Sequence, residues 1–341
     1  MRLCRMRGGS SAVFRALIAG WCLSEMAACG ALGRRATPVE VEVRPQAAPD
    51  PDGTELARGQ AGPEFIAVDE GFVYWTNFED DRVLKIPKEG LGVPIESGRN
   101  DRGENKAIAT DAVAVYWGGT ALYRQAKADG RIRRFDFGSV LAYNPVPIDG
   151  RIYWIDGGKH QIRLISMKSD GTDVRTIGPP EQQDFIFATD GSVVYRGRFR
   201  QDADDAGEID VLPVHGGSPE RFEQTRWLWK LVLDRDYVYW LEGRNVGTVK
   251  KKPRLGGPTT VLVDGIPRPQ SLAADGEALY WTELGAGTGQ GAIGKVAKSG
   301  GEARRLAKRQ IVPQALAVDD TSVYWVNFGP TNNGTVRKIA K

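Results

Sequence analysis

Cysteine is almost absent from this 341-residue chain: Cys4, Cys22 and Cys29 are the three, and none follows position 29. Whatever the rest folds into is therefore not held by disulfides. Histidine is scarcer still, with only His160 and His215. A Ser-His-Asp triad or a His-based zinc site has too few histidines to draw on. No nucleophile-elbow serine, HExxH, complete P-loop or CxxC motif occurs. After the first thirty residues no run of eighteen apolar residues appears, so no transmembrane helix is expected. Excess positive charge is missing too, once residues 1–28 are set aside. They hold Arg2, Arg5, Arg7, Arg15 and Glu25, and the 46 basic and 43 acidic residues of the whole chain fall to 42 of each sign. A nucleic-acid partner, which calls for a concentrated basic surface, is not expected.

What is present is a repeat. Residues 316–327 read LAVDDTSVYWVN: an apolar run, an Asp, and five residues later Tyr then Trp. The Tyr recurs at Tyr74, Tyr116, Tyr153, Tyr195, Tyr239, Tyr280 and Tyr324, at spacings of 42, 37, 42, 44, 41 and 44. Asp69, Asp111, Asp149, Asp190, Asp234, Asp275 and Asp319 precede them, five residues ahead in every unit but the third, where the gap is four. Trp follows Tyr in six units, and the fourth has Arg196 instead. Each unit reads as four short strands: the apolar run, the Val-Tyr-Trp segment beyond an Asp turn, a third strand such as VRKIAK, and a polar strand after a Gly turn. Four strands at a period near 42 predict an all-β, seven-bladed propeller.

The seventh unit stops at Lys341, before its fourth strand. Residues 52–60, DGTELARGQ, match the Gly turn and fourth strand of the sixth unit, GGEARRLAKRQ. Residues 53–58 are therefore expected to pair with residues 335–340 and complete the last blade, leaving no open edge. The domain reading is residues 1–28 as an export leader, 29–51 as a Pro- and Ala-rich tether, and 52–341 as the propeller.

Two resemblances add to this. Residues 66–77, IAVDEGFVYWTN, resemble the YWTD repeats of low-density lipoprotein receptor propellers and of many bacterial lipoproteins. Known YWTD propellers have six blades; seven units are counted here. The resemblance implies binding of a protein or ligand on a rigid disc rather than chemistry. Residues 26–29, Met-Ala-Ala-Cys after an apolar run at 16–23, resemble the bacterial lipoprotein signal, which implies lipidation at Cys29 and a membrane anchor outside the cytoplasm.

Counting back five residues from each Asp reaches the expected start of each inner strand: Glu64, Lys106, Asn144, Phe185, Trp229, Gln270 and Gln314. Convergent polar groups on a concave mouth are the default ligand site, and Trp227 beside Trp229 supplies aromatic surface. These eight residues are the candidate binding ring. The leading reading is a monomeric, non-catalytic scaffold for an unknown protein or cell-envelope ligand, with no cofactor and no metal. The alternative is a metal-dependent hydrolase or lactonase, resembling gluconolactonase, with a divalent ion on the axis near Glu64 and Asn144. Asp202, Asp204 and Asp205 form an acidic loop that reads as solvated rather than as a calcium site.

Overall fold

A computed structural model describes residues 51–100, 107–138, 141–158, 161–183, 185–199, 206–329 and 331–341. The proposed leader, Cys29, the tether before residue 51, Lys106, and Asp202, Asp204 and Asp205 lie outside the described residues. The described residues form seven four-stranded antiparallel sheets and no helix.

Blade one runs Pro63–Val68, Phe72–Asn77, Arg82–Pro87 and Ile95–Arg99 from the axis outward. Blade four, where Trp is replaced, is also complete: Phe185–Thr189, Val193–Phe199, Ala206–Pro213 and Glu220–Arg226. Blade seven takes Pro313–Val318, Ser322–Asn327 and Gly334–Ala340 from one end of the chain and Thr54–Gln60 from the other. Glu55 lies opposite Arg337 and Ala57 opposite Val336, so the closure expected from the repeat is formed. Each inner strand neighbours the next around the ring, and the first also meets the seventh.

The Tyr-Trp pair explains how blades stack. Successive strand residues point to opposite faces. Tyr324 and Trp75 share the cluster between blades seven and one. Tyr74 and Trp117 share the next. The pattern continues with Tyr116 and Trp154, Tyr195 and Trp240, Tyr239 and Trp281, and Tyr280 and Trp325. Every Tyr thus faces the following blade and every Trp the preceding one. All are buried. Each ring removes about 150–250 Å² from water, about 4–6 kcal/mol as an upper bound.

The conserved spacing of Asp to Tyr has a hydrogen-bond cause. Asp69 Oδ1 accepts the N–H groups of Gly71 and Phe72, which shapes the turn, and Oδ2 accepts the Tyr74 hydroxyl at 2.9 Å. The same hydroxyl bond joins Asp111 to Tyr116, Asp234 to Tyr239, Asp275 to Tyr280 and Asp319 to Tyr324. A cation from the following blade adds to five of the seven Asp turns. Lys127 meets Asp69 at 2.6 Å, Lys298 meets Asp234 at 2.8 Å, Lys341 meets Asp275 at 2.5 Å, Lys88 meets Asp319 at 2.5 Å, and Arg254 meets Asp190. Burial opposes the Asp234 charge, but Lys298, the Tyr237 N–H, the Tyr239 hydroxyl and the Asp236 N–H outweigh it and bring the carboxyl down to about 2.

Candidate functional site

The Asp turns and Gly turns share one end of the ring. The other end carries the blade-to-blade connections and the loops from second to third strand, and the candidate residues stand there. Their position has a structural signature. The ladder between inner and second strand skips between Pro63 and Phe65, Tyr143 and Val146, Leu228 and Lys230, Pro269 and Ser271, and Pro313 and Ala315. The skipped residues include Glu64, Asn144, Trp229, Gln270 and Gln314, all half-buried. They are β-bulge residues, released from ladder pairing and re-aimed at the start of the inner strand. Phe185 differs: it is 2 % exposed and fills the cluster between blades three and four, where no Trp is available.

Backbone strain collects at the same end. Trp227, Arg268 and Val312, each directly before an inner strand, have φ of 32°, 49° and 50°. Non-glycine residues rarely adopt such angles, β-branched valine least of all, and strain of this kind gathers at ligand clamps. On blade five it accompanies aromatic surface. The Trp227 and Trp229 rings meet edge to face at 6.1 Å. Trp229 Nε1 donates to the Gly243 carbonyl at 2.6 Å, and the Arg244 guanidinium lies 4.7 Å from the Trp227 ring centre. Trp227 and Trp229 come together as expected; Arg244 was not legible, because only the loop fold brings it over Trp227.

Below the mouth lies a polar layer. The third residue after the repeat Tyr is Asn77, Asp156, Arg198, Glu242, Glu283 or Asn327 in six blades. Glu242 accepts Trp240 Nε1 at 2.7 Å and pairs with Lys250 at 2.6 Å. Asn327 donates to Gln310 Oε1, which also accepts Trp325 Nε1. Burial pushes the Asp156 carboxyl above its ordinary range against the pull of Arg163. In blade four, buried Arg196 pairs with Glu181 of blade three at 2.5 Å and with Asp210 at 3.3 Å, and Arg198 joins both carboxylates. The fixed offset from Tyr was the available signal. Glu242 and Glu283 accept indole N–H groups, and Asp156, Arg198 and Asn327 bond to neighbouring side chains, which gives the layer a structural role.

Among the described residues no group of three or more His, Cys, Asp or Glu stands close enough to hold a metal ion. A cavity of about 570 Å³ lies at the opposite end, between blades one and two, lined by Asp69, Lys85, Asp111, Gln125 and Lys127. It belongs to the Asp-turn end and does not touch the candidate ring.

No family model matches the chain. A low-density lipoprotein receptor-related protein 1 of Pyricularia oryzae is 24% identical over 254 residues, covering 69% of this chain, which spans 62% of that protein's length. Among solved structures, Kuenenia stuttgartiensis hydrazine synthase superposes with a TM-score of 0.66 at 15% identity, over 83% of this chain and 96% of that one. A catalytically inactive Staphylococcus aureus virginiamycin B lyase with quinupristin gives 0.63 at 17% identity, over 85% and 98%. A puromycin-hydrolysing peptidase of Mycobacterium tuberculosis gives 0.61 at 16% identity, over 86% of this chain and 54% of that one. At these identities the likeness establishes the propeller fold alone. The chain is a seven-bladed propeller built of YWTD-like repeats.

Proposed function

We propose that this propeller is a non-catalytic binding scaffold, exported and held at a membrane by a lipid on Cys29, that presents the mouth end of its ring to a protein or cell-envelope ligand. The observation that supports this reading is the set of bulge residues at one end of five blades, four polar and one aromatic, flanked by Trp227 and Arg244. Polar groups freed from the ladder around a concave mouth are a recognition surface. The fold also carries enzymes, virginiamycin B lyase and hydrazine synthase among them, so the reading needs a direct test.

The test is capture of partners from detergent-solubilised membranes with the full chain, repeated with Trp229→Ala. Partners retained by the parent and lost with the variant support the mouth as the binding face; identical capture by both sinks it. Anchoring is tested separately by Cys29→Ala, which is expected to move the protein into the soluble fraction.

A further inference from the structure

On the third strand of a blade, the residue paired with the repeat Tyr is a lysine in four cases: Lys85, Lys251, Lys295 and Lys338. Lys251 of blade five lies 4.8 Å from the Tyr237 ring centre and donates to the Lys298 carbonyl of blade six at 2.6 Å. Lys338 of blade seven donates likewise to the Lys88 carbonyl of blade one. Lys85 of blade one takes the same place over its own aromatic ring, 4.8 Å from the centre of Phe72, yet it makes no hydrogen bond or ion pair to any described residue. Lys295 also lacks an acceptor, but of the four only Lys85 lines the cavity of about 570 Å³ between blades one and two.

The other charged groups of the cavity wall are engaged or open to water. Lys127 pairs with Asp69 at 2.6 Å, and Asp69 also holds the Tyr74 hydroxyl and its own turn. Asp111 accepts the Val113 and Ala114 N–H groups on one oxygen and the Tyr116 hydroxyl on the other. Glu70 is exposed. Apolar surface stands beside the free ammonium. Residues paired across a ladder share a face. Ile95, opposite Lys85, and Ile132, opposite Gln125, therefore flank the cavity from its two blades. Both are about half exposed, as is Val113 beside the lining residue Ala112.

We propose that this cavity binds a small amphiphilic monocarboxylate. Its carboxylate supplies the acceptor that Lys85 lacks, and its carbon chain covers Ile95 and Ile132. The volume is that of a small-molecule site, with apolar wall and few polar groups. A single negative charge matches the one ammonium without a partner, whereas Asp69, Glu70 and Asp111 in the same wall repel a second. The site lies at the Asp-turn end and does not depend on the mouth-end reading.

Equilibrium dialysis of the whole chain against radiolabelled hexanoate, with hexanamide, acetate and inorganic phosphate as competitors, tests the site. Hexanoate is expected to bind about tenfold or more tightly than neutral hexanamide, through the ammonium. It is expected to exceed acetate by about tenfold or more, through the isoleucines. Lys85→Met keeps an aliphatic stem over Phe72, so it should abolish the preference over hexanamide at an unchanged melting temperature. Ile132→Ser, at a half-exposed position, should narrow the margin over acetate. No hexanoate binding by the parent, equal binding by Lys85→Met, equal competition by acetate, or displacement by phosphate overturns the proposal. Trp229→Ala should leave hexanoate binding intact; its loss would place the acid at the mouth and overturn the proposal as well.

Discussion

Two arcs of the ring solve the same packing problem differently. From blade four through blades five, six and seven round to blade two, every interface joins a Tyr and a Trp, and a cation crosses to the preceding blade's Asp. Between blades three and four the design fails at each point. Arg196 replaces Trp, Val214 stands where other blades place the cation, and the Tyr153 hydroxyl donates to the Gly191 carbonyl rather than to Asp149. That interface is held by Phe185, Phe187 and a buried charge cluster instead. Apolar interfaces tolerate one imperfect contact, whereas a buried ion network fails when one member is lost.

The ring depends most on its closing strand, so the largest effect is expected from deleting residues 54–60. Blade seven would lose its outer strand and Leu56 and Ala57 would leave the core between blades seven and one. The folded protein should give way to aggregates on size-exclusion chromatography; a cooperative melt indistinguishable from the parent would mean that this strand does not hold the ring.

Next come the two interface types. Trp75→Ala should cost about 3–5 kcal/mol by creating a cavity. Arg196→Ala should cost about 3 kcal/mol for another reason, because Glu181 and Asp210 are left to share the partly exposed Arg198. Denaturant unfolding measures both. Arg196→Trp restores the repeat motif yet is expected to remain destabilised until Glu181→Gln and Asp210→Asn accompany it. Rescue by Arg196→Trp alone would show that the charge cluster is incidental.

This contrast also explains what was legible. The period and the blade count followed from the Asp-to-Tyr spacing, which one hydroxyl bond sets, and the closure from the match of residues 52–60 to the sixth unit's fourth strand. Counting back five from Asp reached the bulge in five blades, because there the interruption of the ladder stands at a fixed distance from the Asp turn. Phe185 was misleading as a rim residue because blade four lacks the Trp that would otherwise fill its interface. The crossing cations were invisible because their partners belong to another unit, as Lys298 and Asp234 illustrate.

A smaller effect separates the arcs by acid. Asp234 has a carboxyl lowered to about 2, so its contribution is fully present above about pH 4, the ordinary aspartate value, and is lost as pH falls through about 2. Asp234→Asn should therefore flatten the melting temperature against pH between about 4 and 2 while leaving the neutral-pH slope unchanged. An unaltered acid limb would mean that other carboxylates carry the acid unfolding.

The smallest effects come from moving the crossing cation itself. Lys88→Met removes the partner of Asp319 at the closure and should cost at most about 1 kcal/mol, since a partly exposed pair gains little net energy. Val214→Lys places an amine opposite Asp149, but it should not stabilise the protein. Val214 is 7 % exposed and packs in the cluster between blades three and four, so a lysine there forfeits apolar burial. The third unit also sets Asp149 four residues before Tyr153 rather than five, which leaves the carboxylate out of step with the hydroxyl that orients it elsewhere. If Val214→Lys raised the melting temperature by as much as Lys88→Met lowers it, the irregular interface would lack only a charge, and the exchange of Trp for Arg196 would be a secondary change rather than its cause.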